Sequence, residues 1–124
     1  MIRRGEIYWV EFDPVKGSEQ GGLRPALVIQ NDTGNRYSPT TVVAAITRTL
    51  PAKPYPFVVV IESQESGLRV TSAVNCSQVT TIQHSESQSR LRAQPGETEV
   101  RPIGRLSEAK MREVAAALRF NFGL

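Results

Sequence analysis

The sequence predicts a mainly β chain that closes into a small antiparallel barrel with one C-terminal helix. Three observations predict it. Five or six short runs rich in β-branched residues follow one another. No helical pattern separates them, and parallel strands would need such crossovers, so the pairing is antiparallel. The one clear 3.6-residue periodicity comes last, after Ser107. A chain of 124 residues has the size of one domain, so residues 1–124 are expected to fold as a single unit with a small core.

Each element has its own signal. Ile7-Tyr8-Trp9-Val10-Glu11-Phe12 is β-branched, aromatic and partly alternating; it reads as a strand that stops at Asp13-Pro14. Alternation sends one of Tyr8 and Trp9 to the core and the other outward or to a partner. Gly17, Gly21 and Gly22 mark a loop. Pro25 to Gln30 is nearly all apolar and reads as a central strand. Asn31-Asp32-Thr33-Gly34-Asn35 is a dense turn signal. Thr40 to Thr47 is a third strand, and Pro51, Pro54 and Pro56 forbid regular structure behind it. Phe57 to Ile61 is a fourth strand, ended by a turn at Glu65-Ser66-Gly67. Ser72 to Cys76 is a fifth. Ile82 to Gly96 is a polar, Ser/Gln-rich excursion with room for one short helix. Glu99 to Gly104 reads as an edge strand, because Pro102 cannot donate to a ladder. Ser107 is a good N-cap for the helix, with Glu108 at the positive end of its dipole. Met111, Val114, Ala115, Leu118 and Phe122 make one apolar stripe, and Gly123 ends it.

Composition excludes several functions. Cys76 is the only cysteine and His84 the only histidine. There is no disulfide framework, no thiol-rich zinc site and no His–His metal site, so no metal or cofactor is expected. His84 lies among polar residues and reads as solvated; Cys76 reads as a small buried residue. No apolar run approaches the ~18–20 residues of a membrane span, and the first residues lack an apolar signal core, so a cytoplasmic protein is expected. The net charge is only +3, but the basic side is 12 Arg against 3 Lys.

The stretch Gly17-Ser18-Glu19-Gln20-Gly21-Gly22-Leu23-Arg24-Pro25 carries the chemistry. Small residues let a backbone approach a ligand. Glu19 and Gln20 add an acceptor and an amide. Arg24 adds a bidentate phosphate fork where a loop enters a rigid strand. From the residues alone, a plain turn with a solvated arginine fits as well.

Several spaced blocks resemble the MazF/PemK toxin family. They are Arg4-Gly5-Glu6-Ile7-Tyr8-Trp9-Val10, Asp13-Pro14, the Gly17–Pro25 stretch and Gln30-Asn31-Asp32-Thr33-Gly34-Asn35. Tyr37-Ser38-Pro39-Thr40, Val43-Ala44-Ala45-Ile46-Thr47 and Ile103-Gly104-Arg105-Leu106-Ser107 continue the likeness. The resemblance implies a small SH3-like barrel of the MazF/CcdB type and a homodimer. It implies a toxin that cuts single-stranded RNA at short sequences without metal, by 2′-hydroxyl attack that leaves a cyclic phosphate and a 5′-hydroxyl. A cognate antitoxin would neutralise it with an extended acidic segment. The family's catalytic arginine matches Arg24 and its catalytic threonine matches Thr47.

These roles fit the residue chemistry. The transition state carries extra negative charge on its phosphate oxygens, which Arg24 can bind with fixed geometry. Thr47 can donate one more hydrogen bond. Arginine holds its proton to beyond about pH 12, so it is a poor base; Glu19 is the nearest carboxylate and the candidate to orient or deprotonate the 2′-hydroxyl. Base selection falls to the loops, with Ser18, Gln20, Gly21, Gly22, Asn31, Asn35, Arg36, Ser77 and Gln78 as candidate RNA contacts. Ser77 stands where the family often has an acid. Two rival readings remain at this stage: a non-enzymatic toxin of the gyrase-poison type on the same barrel, and an SH3-like binding module.

Overall fold

A computed structural model of the chain describes residues 1–13 and 22–124. The elements run β1 (Glu6–Phe12), β2 (Gly22–Val28), α1 (Asp32–Tyr37), β3 (Thr40–Thr47) and β4 (Val58–Ile61). They continue with α2 (Ser63–Ser66), β5 (Ser72–Gln83), β6 (Leu91–Arg92), β7 (Gly104–Arg105) and α3 (Glu108–Phe122). The strands form one curled antiparallel half-barrel in the order β4-β5-β3-β2-β1-β6, with β7 also paired to β1. The apolar β2 is central, as its sequence predicts.

Strand alternation gives this sheet two apolar faces. On one, Ile7, Leu27, Ala44, Ile46, Val59, Ile61, Val74 and Cys76 meet Val114 and Ala117 of α3. On the other, Tyr8, Val10, Ala26, Val28, Val43, Ile82 and Leu91 gather in a second cluster. Full burial of one such valine is worth about 1.5–3 kcal/mol. α3 packs on β4 and β5. Ser107 Oγ accepts from the Lys110 N–H at 3.1 Å, and Gly123, at φ 69°, ends the helix as predicted.

The structure departs from the predicted elements where long-range contacts override local composition. The Asn31–Asn35 turn is instead the N-cap and first turns of α1, with Asn31 Oδ1 accepting from the Gly34 N–H at 2.8 Å. The fifth strand runs on to Gln83, because Thr80 to Gln83 pair with Thr40 to Val43. The Ser/Gln-rich excursion holds no helix; it carries the two-residue β6, which docks on β1. The last edge strand is only Gly104–Arg105, not Glu99 to Gly104. The helix stripe is centred on Val114 and Ala117; Phe122 is 56% exposed.

One close approach fixes the loop after α2. Gly67 caps that helix at φ 82°, and a Cβ there would overlap the Ile103 carbonyl. A Cβ on Gly104 would overlap the Ser66 carbonyl in turn. Two backbones cross where only glycine fits. Gly104→Ala is therefore expected to cost about 1–3 kcal/mol of stability, read as a lower urea midpoint; an unchanged midpoint would show a looser crossing.

Candidate functional site

The sheet splits at Pro25. The β2–β3 ladder pairs Ala26 with Ala45, Leu27 with Ala44 and Val28 with Val43, and ends there. The β1–β2 ladder continues through Gly22, and the β3–β5 ladder continues through Thr47. The cause is a missing donor. The Val28 carbonyl accepts from Gly5 on the β1 side, and the Ile29 N–H donates to Val42 on β3. Strand alternation then turns position 25 toward β3, and proline has no N–H to offer there. β2 follows β1 while β3 follows β5. Continuing the same register brings Arg24 abreast of Thr47, on the two lips of the split.

Two clefts meet at Arg24. The first, about 590 Å³, includes Phe12, Ala45, Ser77, Gln78 and Arg90 among its walls. The second, about 660 Å³, includes Trp9, Thr47, Arg48, Arg69 and Gln94. Arg24 lines both. Thr47 Oγ1 accepts from the Thr49 N–H at 3.1 Å, which fixes the hydroxyl and leaves its proton to donate.

The clefts differ in charge. Glu11 and Asp13 line the first, and Asp13 is paired to Arg90 at 2.9 Å. Arg24, Arg48 and Arg69 line the second, with no carboxylate among its described walls. Low-dielectric walls with charge of one sign concentrate anions. Among the described residues no three of His, Cys, Asp and Glu converge as a metal ion would need. Cys76 is buried, and burial pushes its thiol up to about 11, so it is no nucleophile near neutral pH.

Comparison with known proteins follows the same outline. The family model of PemK-like, MazF-like toxins of type II toxin–antitoxin systems matches residues 3–122. A mycobacterial endoribonuclease solved in complex with its cognate antitoxin is 22% identical at a TM-score of 0.74, covering 100% of this chain and 97% of that one. MazF from Deinococcus radiodurans is 24% identical at 0.72, covering 99% and 97%. A MazE–MazF structure from the same organism is 21% identical at 0.68, covering 99% and 97%.

The predicted site residues separate into three groups. Gly22, Arg24, Thr47, Ser77 and Gln78 lie at the split or beside it, although the Ser77 hydroxyl is taken up by Asn75 Oδ1 at 2.6 Å. Ser18, Glu19, Gln20 and Gly21 lie outside the described residues. Asn31, Asn35 and Arg36 sit beyond the opposite end of β2, roughly 13 Å or more along the strand from Arg24. Asn31 is a helix cap there, and Arg36 lies over the Tyr37 ring. Asn35 is 1% exposed and committed: its amide donates to the Gln30 carbonyl, and its oxygen accepts from Thr41 Oγ1 at 2.6 Å. It has no polar atom to offer RNA. His84 is likewise not solvated; it is half-buried with Nε2 at 2.7 Å from the Ser38 carbonyl. The residues missed by sequence reasoning are Trp9, Arg48, Arg69 and Gln94. Arg48 had a signal in its place directly after Thr47, and Trp9 in its alternation with the buried Tyr8. Asn35→Ala is expected to act through the fold, costing about 1–3 kcal/mol by orphaning Thr41; urea unfolding beside RNA binding checks it, and a stable variant that loses RNA would contradict it.

Proposed function

The chain belongs to the PemK-like, MazF-like family of toxins of type II toxin–antitoxin systems, and from that premise we propose that it is an endoribonuclease cutting single-stranded RNA at short specific sequences. The observation that carries this reading is the pair Arg24 and Thr47 on opposite lips of the split. A phosphodiester drawn into the split meets a guanidinium fork from β2 and a hydroxyl donor from β3.

The ribose 2′-oxygen attacks the adjacent phosphorus, and the bond to the 5′-oxygen breaks. The products are a 2′,3′-cyclic phosphate and a 5′-hydroxyl. One proton leaves the 2′-oxygen and one arrives at the leaving 5′-oxygen, so no metal ion is required for balance. Arg24 holds two non-bridging oxygens as their charge grows. Thr47, fixed by Thr49, adds a hydrogen bond to the same group. Glu19 is assigned to orient or deprotonate the 2′-hydroxyl, and Gln78 and Gly22 to contact flanking nucleotides.

The partners follow from charge. Two chains as a homodimer would carry about twice the +3 of one, enough to draw RNA in a salt-dependent way. The cationic second cleft suits an acidic antitoxin segment as well as RNA. No helix among the described residues is long and apolar enough to cross a membrane, and the assigned site of action is the cytoplasm, where mRNA lies.

The purified protein is expected to cut RNA in excess chelator and to leave intact a substrate with a 2′-deoxy sugar at the cleavage position. Arg24→Ala is expected to slow the reaction about 10²–10³-fold, with no rescue by lysine, and Thr47→Ala about ten-fold or more. Single-turnover cleavage with circular dichroism as a fold control measures both. A folded Arg24→Ala variant cutting at full rate would sink the assignment.

A further inference from the structure

The Ser/Gln-rich excursion from His84 to Glu97 has no apolar pattern to explain it, yet the structure gives it a definite place. β6 docks on β1, with Arg92 opposite Trp9 and Leu91 opposite Val10. Leu91 anchors it in the second apolar cluster, while the Arg92 guanidinium ties back to the Ser89 and Leu91 carbonyls. The chain beyond then carries Gln94 into the wall of the second cleft.

Four features of that cleft converge. Trp9 joins neither apolar cluster; its neighbour Tyr8 fills the core instead, and the half-buried indole faces the cleft. Gln94 has no side-chain hydrogen-bond partner among the described residues, so its amide keeps both a donor and an acceptor. Arg48 and Arg69, from two other loops, have no ion-pair partner among the described residues either. The volume, about 660 Å³, admits a nucleotide. Unpaired RNA is recognised by a flat platform for the base, an amide at the base edge and cations at the phosphate.

We propose that this cleft is a specificity subsite for one unpaired nucleotide next to the scissile phosphate: Trp9 stacks the base, Gln94 reads its edge, and Arg48 and Arg69 hold its phosphate. The proposal rests on the nuclease reading above and extends it to a part of the chain that reading leaves idle.

Trp9 is the only tryptophan, so its emission reports on the subsite directly. The full chain is titrated with end-labelled oligodeoxynucleotides of each base, which lack the attacking hydroxyl and stay uncut. Label anisotropy gives total binding and Trp9 emission gives occupancy of the cleft. Expected is emission quenching that saturates together with anisotropy and differs among the four bases. Gln94→Ala should bring the Kd ratio between the best and worst base toward one. Arg48→Ala with Arg69→Ala should weaken all four bases alike. Trp9→Ala should weaken binding about five-fold or more, and Trp9→Phe, which keeps a ring in the strand, clearly less. Saturable anisotropy with unmoved emission would overturn the subsite and leave the nuclease standing. Equal quenching by polyglutamate, with no base dependence, would overturn it in favour of a general polyanion surface. No oligonucleotide binding together with uncut RNA would remove both readings.

Discussion

The absence of one backbone donor at Pro25 governs the rest of this molecule. Between Val28 and Ala26 the central strand is held on both sides. One residue earlier, Pro25 turns toward β3 and has no N–H to donate there. An unbroken ladder at that point would place Arg24 and Thr47 in an ordinary closed sheet, with no depth between strands. The split instead leaves two rigid lips, each still anchored by its outer neighbour through Gly22 and Thr47. Residues on strand ends so held need little reorganisation to meet a charged transition state.

The surrounding architecture keeps the split open without unpaired polar groups. No buried side-chain nitrogen or oxygen lacks a partner among the described residues. The cluster against α3 draws on β1 to β5, and the cluster on the opposite face draws on β1, β2, β3, β5 and β6. Both clusters therefore tie β2 to β3, and the lips part only beyond the short ladder between them. The Gly67–Gly104 crossing then sets the loop that carries Arg69 against the second cleft.

What was legible in the sequence is what short-range chemistry decides. Thr40 to Thr47 is a strand in both, since eight residues of β-branched and small side chains leave no competing period. The Ser107 cap and the Gly123 stop bound α3 by contacts within a turn. α1 was illegible because its composition is that of a turn, and what holds it helical comes from outside: Gln30 and Thr41 grip the Asn35 amide. The long reach of β5 was hidden by the irregularity between Val79 and Asn75, which breaks the alternation a reader would follow. The clearest case is Gln94. Nothing local marks it; a two-residue strand pairing with β1, far away in sequence, decides where it lies.

The scarcity of histidine and cysteine takes on a different meaning beside this geometry. Cys76 is buried and its thiol is held neutral, and His84 is bound to a backbone carbonyl away from Arg24. The described split therefore offers charge and hydrogen bonds rather than a titrating pair. On the proposed function, catalysis would lean on electrostatic preorganisation, and proton removal would fall to a carboxylate or to water. A site that works by fixed positive charge is also one that an acidic peptide can fill without mimicking any step of the chemistry. RNA and an antitoxin would then compete for the same arginines, Arg24, Arg48 and Arg69. The feature that would make the cleft useful for cleavage would also make it easy to block.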